Sequence, residues 1–415
     1  MLRFRLERDL PSSAAPAVEI VRALAAHGCE ALLAGGCVRD LLRGEAPADY
    51  DVATNALPNR VAAIFPGARM VGAKFGVVLV QRKGRWIEVA TFRSDGAYED
   101  GRRPASVTFG DARNDASRRD FTVNGMFLDP LSMTVIDYVG GRDDLRAKTL
   151  RAIGDPTARF EEDHLRLLRG VRFAARLGFE IEPQTWSGLI AAAPMLPTIS
   201  AERVREELAK MLSHASRATA AELMRRAGLL VFLWPGAAWS EDQSREAVDR
   251  LRDLPTDASF ETALAEWLAD RPATDVNSIC HALACSNQQR DTVVWLVEHQ
   301  NDLVEPDRPT LAHLKRLLAG PAFHGLRQLA SSRIAATPDA NRRQAALAAR
   351  IEAIPADAIR PPPLVTGEDL LARGIPAGPL YKRVLDALYT MQLDERLTTR
   401  EAALEALQTL LRGAS

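Results

Sequence analysis

Two aspartates, Asp49 and Asp51, stand two positions apart in the first part of the sequence. Residues i and i+2 of a β-strand point to the same face of a sheet, so this spacing predicts that both carboxylates converge on one spot. Neighbouring carboxylates repel each other and favour a hard divalent cation between them. Two Mg²⁺ ions held in this way could activate an attacking hydroxyl and stabilise a leaving pyrophosphate. The pair therefore predicts a metal-dependent catalytic site.

A glycine pair, Gly35 and Gly36, precedes these aspartates. It follows an apolar run at residues 31–34, which predicts a strand, and residues 37–43 predict a helix after it. Glycines let backbone N–H groups approach a phosphate closely, and a helix N-terminus favours an anion. Arg39, in the first turn of this helix, can add a charge-assisted contact. The segment therefore predicts a phosphate-binding turn.

Glu88 is a candidate for a third carboxylate in the same site. It lies between the apolar residues Ile87 and Val89, in a segment that predicts a strand. An ordinary solvent-facing strand carboxylate has the same pattern, and both interpretations remain open at this point.

In this order and spacing, the glycine pair and the two aspartates resemble the signature of nucleotidyltransferases of the polymerase-β superfamily. Residues 118–126, 137–145 and 161–173 are similar to further motifs of the class II tRNA nucleotidyltransferases and bacterial poly(A) polymerases. The resemblance extends over residues 31 to 235 and returns at 366–407. It implies Mg²⁺-dependent, template-independent addition of C and A from CTP and ATP to the 3′ end of tRNA. Addition of A alone and poly(A) synthesis are the alternatives within the family.

Residues 159–177 carry apolar side chains at helical spacing, which predicts one helix with an arginine face. On this helix Asp163 and Arg166 would be i,i+3 neighbours that reach one flat ligand together. Aspartate only accepts hydrogen bonds and arginine only donates them, a pattern that matches cytosine and adenine but not guanine or uracil.

The resemblance assigns base reading to the same two residues, Asp163 and Arg166. It also implies that Arg119, Arg169 and Arg172 hold the triphosphate or the sugar. A surface helix with many salt bridges is the alternative interpretation of this segment.

The elements around these motifs predict an α+β protein. Predicted strands at 31–34, 77–81, 86–91 and 135–139 and a helix at 58–65 form a mixed α/β head, and the helices at 201–212, 217–232, 244–251 and 367–412 follow it. The predicted division is a nucleotidyltransferase head at 1–150, a neck with the nucleotide-selecting helix at 151–215, a body at 216–360 and an RNA-binding tail at 361–415.

The segment at 91–104 is polar and rich in charge, which predicts a mobile loop. It resembles a flexible loop that CCA- and A-adding members have, although a plain connector between strands is the alternative. Residues 71–76 are only mildly basic and the C-terminus is not polybasic, which favours tRNA over mRNA. The candidate RNA contacts are Arg203, Arg205, Lys210 and Lys382, with solvated helix positions as the alternative.

Composition excludes several other classes. The chain has 415 residues and a net charge of −1, so any RNA must be bound by a local basic patch. No apolar run is long enough for a membrane span, and no protein partner is indicated. Four cysteines form no disulfide framework, which favours a reducing cytoplasm. Cys280, His281 and Cys285 lack a second ligand pair, so these thiols are expected to be buried or incidental.

The seven histidines are scattered and show no tandem His-Asp pair, so an appended metal phosphohydrolase domain is not indicated. A catalytically silent RNA-binding protein is the hypothesis from a different class. Paired acids at Asp49 and Asp51 argue against it, because RNA binding alone does not need a metal site.

Overall fold

The computed structural model describes residues 1–72, 76–96, 106–234, 239–375 and 378–412. The chain forms two compact units, Met1–Met211 with Ser216–Ser240 and Leu212–Ala215 with Glu241–Ser415. The first contains a mixed sheet and the second is helical in its described part, so the predicted fold class is confirmed. The finer division into head, neck, body and tail stays a prediction.

The strands, all in the first unit, are β1 (Leu2–Arg5), β2 (Ala31–Ala34), β3 (Asp51–Thr54), β4 (Arg69–Gly72), β5 (Val77–Arg82), β6 (Arg85–Thr91), β7 (Arg93–Asp95), β8 (Val107–Phe109), β9 (Met126–Asp129), β10 (Thr134–Asp137), β11 (Thr149–Leu150) and β12 (Glu180–Ile181). Within the described residues, eight of them form one sheet in the order β1-β10-β9-β2-β3-β6-β5-β4. β3 and β6 pair in parallel, whereas the other neighbours are antiparallel. The predicted strands thus belong to a single sheet.

The helices as far as residue 233 are α1 (Ala15–Ala26), α2 (Gly36–Arg43), α3 (Pro58–Ile64), α4 (Ala112–Ser117), α5 (Gly141–Arg146), α6 (Pro156–Glu162), α7 (Arg166–Leu177), α8 (Pro183–Ala192), α9 (Ala201–Leu212), α10 (Arg217–Arg226) and α11 (Leu230–Leu233). Their ends follow local chemistry. Asp155 caps α6 by accepting the Thr157 N–H, with Pro156 in the first turn. Gly178 ends α7 in the left-handed conformation.

The sheet buries both of its faces, because successive strand residues alternate between them. Leu33 and Val52 belong to the larger core, together with apolar residues of α1. Leu32 and Ala53, one position away in each strand, belong to a smaller core with α4. Asp51 has the same parity as Ala53, so the strand pattern assigns it to the α4 face.

The prediction of one helix over residues 159–177 is wrong. The chain leaves α6 at Asp163, whose φ of −143° and ψ of 102° are extended. The Asp163 carboxylate accepts the N–H of Leu165 at 3.1 Å, and its carbonyl accepts the N–H of Arg166 at 2.9 Å. Aspartate favours this capping role over a helix interior. Asp163 and Arg166 therefore do not share a helix face.

The predicted helix at 217–232 is also two helices, α10 and α11, because Gly228 adopts a left-handed φ of 69° between them. No helix in the described ranges is long and apolar enough to cross a membrane.

The helices of the second unit are α12 (Glu241–Asp253), α13 (Phe260–Trp267), α14 (Ala273–Ala282), α15 (Asn287–His299), α16 (Leu311–Leu318), α17 (Phe323–Ala335), α18 (Ala340–Glu352), α19 (Ala356–Ile359), α20 (Gly367–Leu371), α21 (Pro379–Leu393) and α22 (Arg400–Arg412). The segment predicted as helical over 367–412 contains three of them, which share a core around Leu370, Leu388 and Leu407.

The four cysteines lie in the described part of the chain and are not in disulfides. Cys280 is buried and Cys285 half-buried. Burial raises the pKa of the Cys37 thiol to about 11, so this residue is not a thiolate nucleophile at neutral pH.

Candidate active site

Three carboxylates line one cavity near the start of β3 and the neighbouring part of β6. Asp51 is the first residue of β3, and Asp49 lies just before the strand. The parallel register sets Asp51 opposite Glu88 of β6, so both side chains leave the same face of the sheet. All three line one cavity of about 720 Å³, and we call them the acidic wall. Glu88, for which the sequence left two interpretations, therefore lies beside Asp51.

Small side chains make room for this cavity. Ala34, Ala53 and Ala90 line it, one each from β2, β3 and β6. Ala53 and Ala90 follow Asp51 and Glu88 by two positions, so they lie on the same face of the sheet as the acids. The floor of the cavity is thus built from the smallest side chain that a strand carries without the conformational freedom of glycine.

The acidic wall carries more negative charge than nearby protein groups balance. Asp51 is exposed to solvent in the cavity, yet the surrounding protein removes much of the bulk water from its carboxylate. This desolvation, followed by the negative charge of Glu88, raises the pKa of Asp51 to about 6. Asp49 adds to the shift and Arg119 opposes it. A cation bound beside Asp51 would stabilise its ionised carboxylate and lower this pKa.

A magnesium ion fits these ligands. In the described part of the chain, oxygens of Asp49, Asp51 and Glu88 do not all come within 4.8 Å of one another. Mg²⁺ is commonly held by one or two carboxylates together with water and substrate phosphates, so it does not need a closed protein cage. The acidic wall therefore fits a cation shared between protein and nucleotide.

Gly35 forms the turn between β2 and α2, with φ 76° and ψ −134°. Residues with a side chain avoid this conformation. A Cβ atom at Gly35 would also lie 2.8 Å from Nη1 of Arg119. Gly36 begins α2, and both glycines line the cavity. The predicted phosphate-binding turn thus lies at the cavity, with a helix N-terminus that favours an anion.

The five arginines predicted from the sequence line the same cavity, and we call Arg39, Arg119, Arg166, Arg169 and Arg172 the arginine wall. Each has an acceptor within the protein. Arg39 donates from Nη1 to Asn124 Oδ1 at 2.7 Å and from Nε to Asp40 at 2.8 Å. Their directions are therefore fixed before any ligand binds.

Arg119 and Arg169 each donate two hydrogen bonds to a buried aspartate. Arg119 donates from Nε and Nη2 to one oxygen of the buried Asp115, at 3.1 and 2.9 Å. Arg169 donates from Nε and Nη2 to Asp120 at 2.8 and 2.6 Å. Burial alone would raise the pKa of Asp120, but the charge of Arg169 and a hydrogen bond from Asn124 lower it to about 2. Asp120 is therefore ionised at neutral pH and holds Arg169 in place.

Arg172 is buried and donates to Glu207 of α9 at 2.6 Å. Lys210, one turn further along α9, lies 3.3 Å from the same carboxylate and also lines the cavity. The helix that the sequence predicted as an RNA-binding surface thus contributes to the wall of the cavity.

Asp163 and Arg166 both line the cavity. Their backbones are joined by the hydrogen bond from the Arg166 N–H to the Asp163 carbonyl, but in the described contacts their side chains bind different partners. Both oxygens of Asp163 accept from Nη2 of Arg203 at 3.0 Å. Arg166 donates to Glu162 at 2.5 Å and to the carbonyl oxygens of Arg159 and Arg118. The side chains of both residues thus reach the cavity, but different partners orient them: Arg203 for Asp163 and Glu162 for Arg166.

The other RNA candidates have different surroundings. Arg203 is committed to Asp163, Arg205 is half-buried in α9, and Lys382 is exposed on α21 of the second unit. Exposure of Lys382 is compatible with either interpretation from the sequence, and its role stays a prediction.

Sequence reasoning missed the residues that hold the arginines: Asp115, Asp120, Asn124 and Glu207. A signal for two of them was present, because Asp120 and Asn124 are i,i+4 neighbours within the second motif. Asn124 donates to Asp120 at 3.1 Å and accepts from Arg39, so it links two arginines of the cavity. Glu207 lies 35 residues from Arg172, and only the folded chain relates them.

The predicted mobile loop at 91–104 is a paired ribbon at its start. Arg93–Asp95 pairs antiparallel with Val107–Phe109, so this part of the prediction is wrong. Residues 97–105 lie outside the described part of the chain, as do residues 73–75 of the mildly basic segment.

A mixed sheet with carboxylates at paired strand positions, beside a glycine turn and an arginine-lined cavity, defines a nucleotidyltransferase head. The family models agree with this class. Residues 31–151 match the poly A polymerase head domain, and residues 178–240 match the probable RNA and SrmB-binding site of polymerase A.

Curated relatives narrow the class. A CCA-adding enzyme of Geobacillus stearothermophilus is 41% identical over 280 residues, which is 67% of this chain and 65% of that enzyme. One from Geobacillus kaustophilus is 36% identical over 380 residues, which is 90% of this chain and 91% of that enzyme. The crystal structure of the Bacillus stearothermophilus CCA-adding enzyme in complex with CTP superposes with a TM-score of 0.83, at 31% identity, covering 97% of this chain and all of that one. The chain belongs to the family of CCA-adding enzymes.

Proposed function

We propose that this protein adds C and A from CTP and ATP to the 3′ end of tRNA. One observation carries the proposal: a single cavity combines two carboxylates that form no ion pair among the described contacts, Asp51 and Glu88, with an acceptor–donor pair for a base, Asp163 and Arg166. A cavity of about 720 Å³ is large enough for one nucleotide. The names of the curated relatives support the same reaction.

The two walls divide the work. Asp49 and Asp51, with Glu88 beside them, would hold Mg²⁺, which supplies charge stabilisation for an attacking 3′-hydroxyl and a leaving pyrophosphate. The turn at Gly35 and Gly36 would bind phosphate oxygens through backbone N–H groups. The arginines would hold the remaining triphosphate charge through bidentate contacts.

Base selection would depend on unused hydrogen-bonding capacity at Asp163 and Arg166. A guanidinium has five N–H donors, and the described contacts of Arg166 use three of them. The Asp163 carboxylate has about four acceptor positions, three of which are used in the described contacts. The pair can therefore still accept from an exocyclic amine and donate to a ring nitrogen. Guanine and uracil would leave polar groups unpaired, at a cost of about 1–3 kcal/mol each.

The experiment is transfer by purified protein with Mg²⁺ on three tRNA substrates that end at the discriminator base, at C and at CC. Each substrate is given labelled CTP, ATP or both. We expect stepwise completion to CCA on all three, since one cavity serves both nucleotides.

Other outcomes would replace the proposal. Extension of the CC substrate alone defines an A-adding enzyme, and long A tails on unstructured RNA define a poly(A) polymerase. No incorporation on any substrate leaves a silent RNA-binding protein.

A further inference from the structure

Two histidines and an aspartate that are scattered in the sequence meet in the second unit. His299 is the last residue of α15, Asp302 lies in the turn that follows, and His313 is in the first turn of α16. Nδ1 of His299 lies 2.7 Å from Asp302 Oδ2, and Nε2 of His313 lies 2.8 Å from the same oxygen. In the described part of the chain, this is the group of three such residues whose donor atoms all lie within 4.8 Å of one another. We call it the His-Asp-His cluster.

From this geometry we propose that the His-Asp-His cluster binds a divalent transition metal ion of the zinc type. Two imidazole nitrogens and one carboxylate oxygen form a ligand set that suits Zn²⁺ and similar borderline ions, whereas Mg²⁺ prefers oxygen alone. The three side chains are 28%, 31% and 39% exposed, which leaves access for an ion and for a water as fourth ligand.

The bond lengths of a zinc site require only a small movement. Ligands about 2.0–2.1 Å from a tetrahedral ion are separated by about 3.3 Å, so each nitrogen must move about 0.5 Å away from the Asp302 oxygen. The N–H protons that now point at Asp302 would shift to the other ring nitrogens, because a metal-bound imidazole is neutral and keeps one proton.

The backbone that carries the cluster is fixed by other contacts. Arg333 donates to the carbonyl oxygen of Gln300 and to Asn301 Oδ1, each at 2.9 Å, immediately before Asp302. Lys315, two residues after His313 and 2% exposed, pairs with Glu395 at 2.9 Å. The ligands therefore extend from positions that are already held, which reduces the entropy lost when an ion binds.

The orientation of His299 has a separate support. Its ring lies 4.7 Å from the ring of Trp295, one turn earlier in α15. The backbone N–H of His313 donates to the side-chain hydroxyl of Thr310, which caps α16. Packing against Trp295 thus holds the His299 ring, and capping fixes the backbone from which the His313 side chain extends.

The test is a Zn²⁺ titration by calorimetry of the metal-free, full-length protein, with bound zinc counted by elemental analysis. It uses the Asp49→Ala Asp51→Ala background, so that the acidic wall adds no signal. We expect one Zn²⁺ per chain. Loss of a direct ligand in His313→Gln should weaken binding at least about 100-fold, since even indirect partners change metal affinity about 10- to 100-fold.

His324→Gln is the matched control, because His324 is a histidine of the same unit outside the cluster. It should bind zinc as the background does. Equal binding by His313→Gln, or no bound zinc in the background, would overturn the proposal and leave a hydrogen-bonded triad only.

A second measurement guards against misfolding of the variant. Co²⁺ added to the background should give the visible absorption of a nitrogen- and oxygen-ligated low-coordinate ion, and Zn²⁺ should displace it. Zn²⁺ should raise the melting temperature of the background and of His324→Gln, but not of Asp302→Asn. An equal rise in Asp302→Asn would contradict the assignment.

Discussion

Asp51 and Asp120 line the same cavity, yet their surroundings shift the pKa values of their carboxyl groups in opposite directions. Desolvation and the charge of Glu88 raise the pKa of Asp51 to about 6, whereas the charge of Arg169 lowers that of Asp120 to about 2. The acidic wall thus keeps charge that a ligand must balance, and the arginine wall has much of its charge balanced within the protein. The acidic wall is suited to binding a cation that takes part in the reaction, and the arginine wall is suited to holding a ligand in a fixed position.

The largest effect is expected from Asp51→Asn, which removes charge from the acidic wall. Transfer should fall by at least about a thousandfold, because the variant loses a metal ligand in a site built for charge stabilisation. Incorporation of labelled CMP into tRNA that lacks CCA measures it. Thermal stability without divalent cations should not fall, since the neutral amide of this variant is not repelled by Glu88.

Asp49→Ala should act in the same direction, and Glu180→Gln at an exposed position of β12 is the control. Retained activity in both Asp49→Ala and Asp51→Ala would remove the acidic wall from the mechanism.

A smaller effect is expected from Asp163→Ala, which changes selection and not the metal site. GTP or UTP should compete with CTP and ATP roughly ten- to hundredfold better, because the lost carboxylate no longer penalises the wrong base. Competition among labelled nucleotides measures the ratio. Unchanged selectivity would show that Asp163 has a structural role only, as the partner of Arg203.

Asp120→Asn tests the arginine wall through stability. The lowered pKa corresponds to about 2 kcal/mol of unfolding free energy at neutral pH. This contribution is fully present above the unfolded pKa of 3.8 and is lost as the pH falls through about 2. Urea unfolding at several pH values should show the difference from the native protein shrinking in acid, and a constant difference would contradict this origin.

The smallest effect is expected from Arg203→Gln. Arg203 touches Asp163 and lies outside the chemistry, so it is a positioning residue. Selectivity should loosen in the same direction as in Asp163→Ala but by only about two- to fivefold, since a neutral amide still donates to Asp163. Additive effects in the double variant Asp163→Ala Arg203→Gln would show that Arg203 acts elsewhere.

Two of the three residues of the acidic wall, Asp49 and Asp51, and the turn at Gly35 could be placed at the cavity from sequence, since their arrangement depends on local conformation. Glu88 could not be decided in this way. Its place depends on the parallel pairing of β3 with β6, a register between Asp51 and Glu88 that no local pattern fixes.

The sequence predicts that the five arginines of the arginine wall bind one nucleotide, and this role stays a prediction. The structure brings them to one cavity, but not with the predicted geometry. Helical periodicity continues across Asp163 in the sequence, while the capping preference of aspartate breaks the helix there. The partners Asp120 and Glu207 were missed because a buried ion pair joins distant segments. The meeting of His299 with His313 escaped prediction because it depends on how the chain turns between α15 and α16.

The floor of the cavity has a consequence for how its residues can be found. Ala34, Ala53 and Ala90 shape the space by what they lack, and a larger side chain there would fill it. Systematic replacement by alanine reports on side chains that are removed, and it is blind to positions where the native residue is alanine. Part of this site is therefore visible only to substitutions that add atoms.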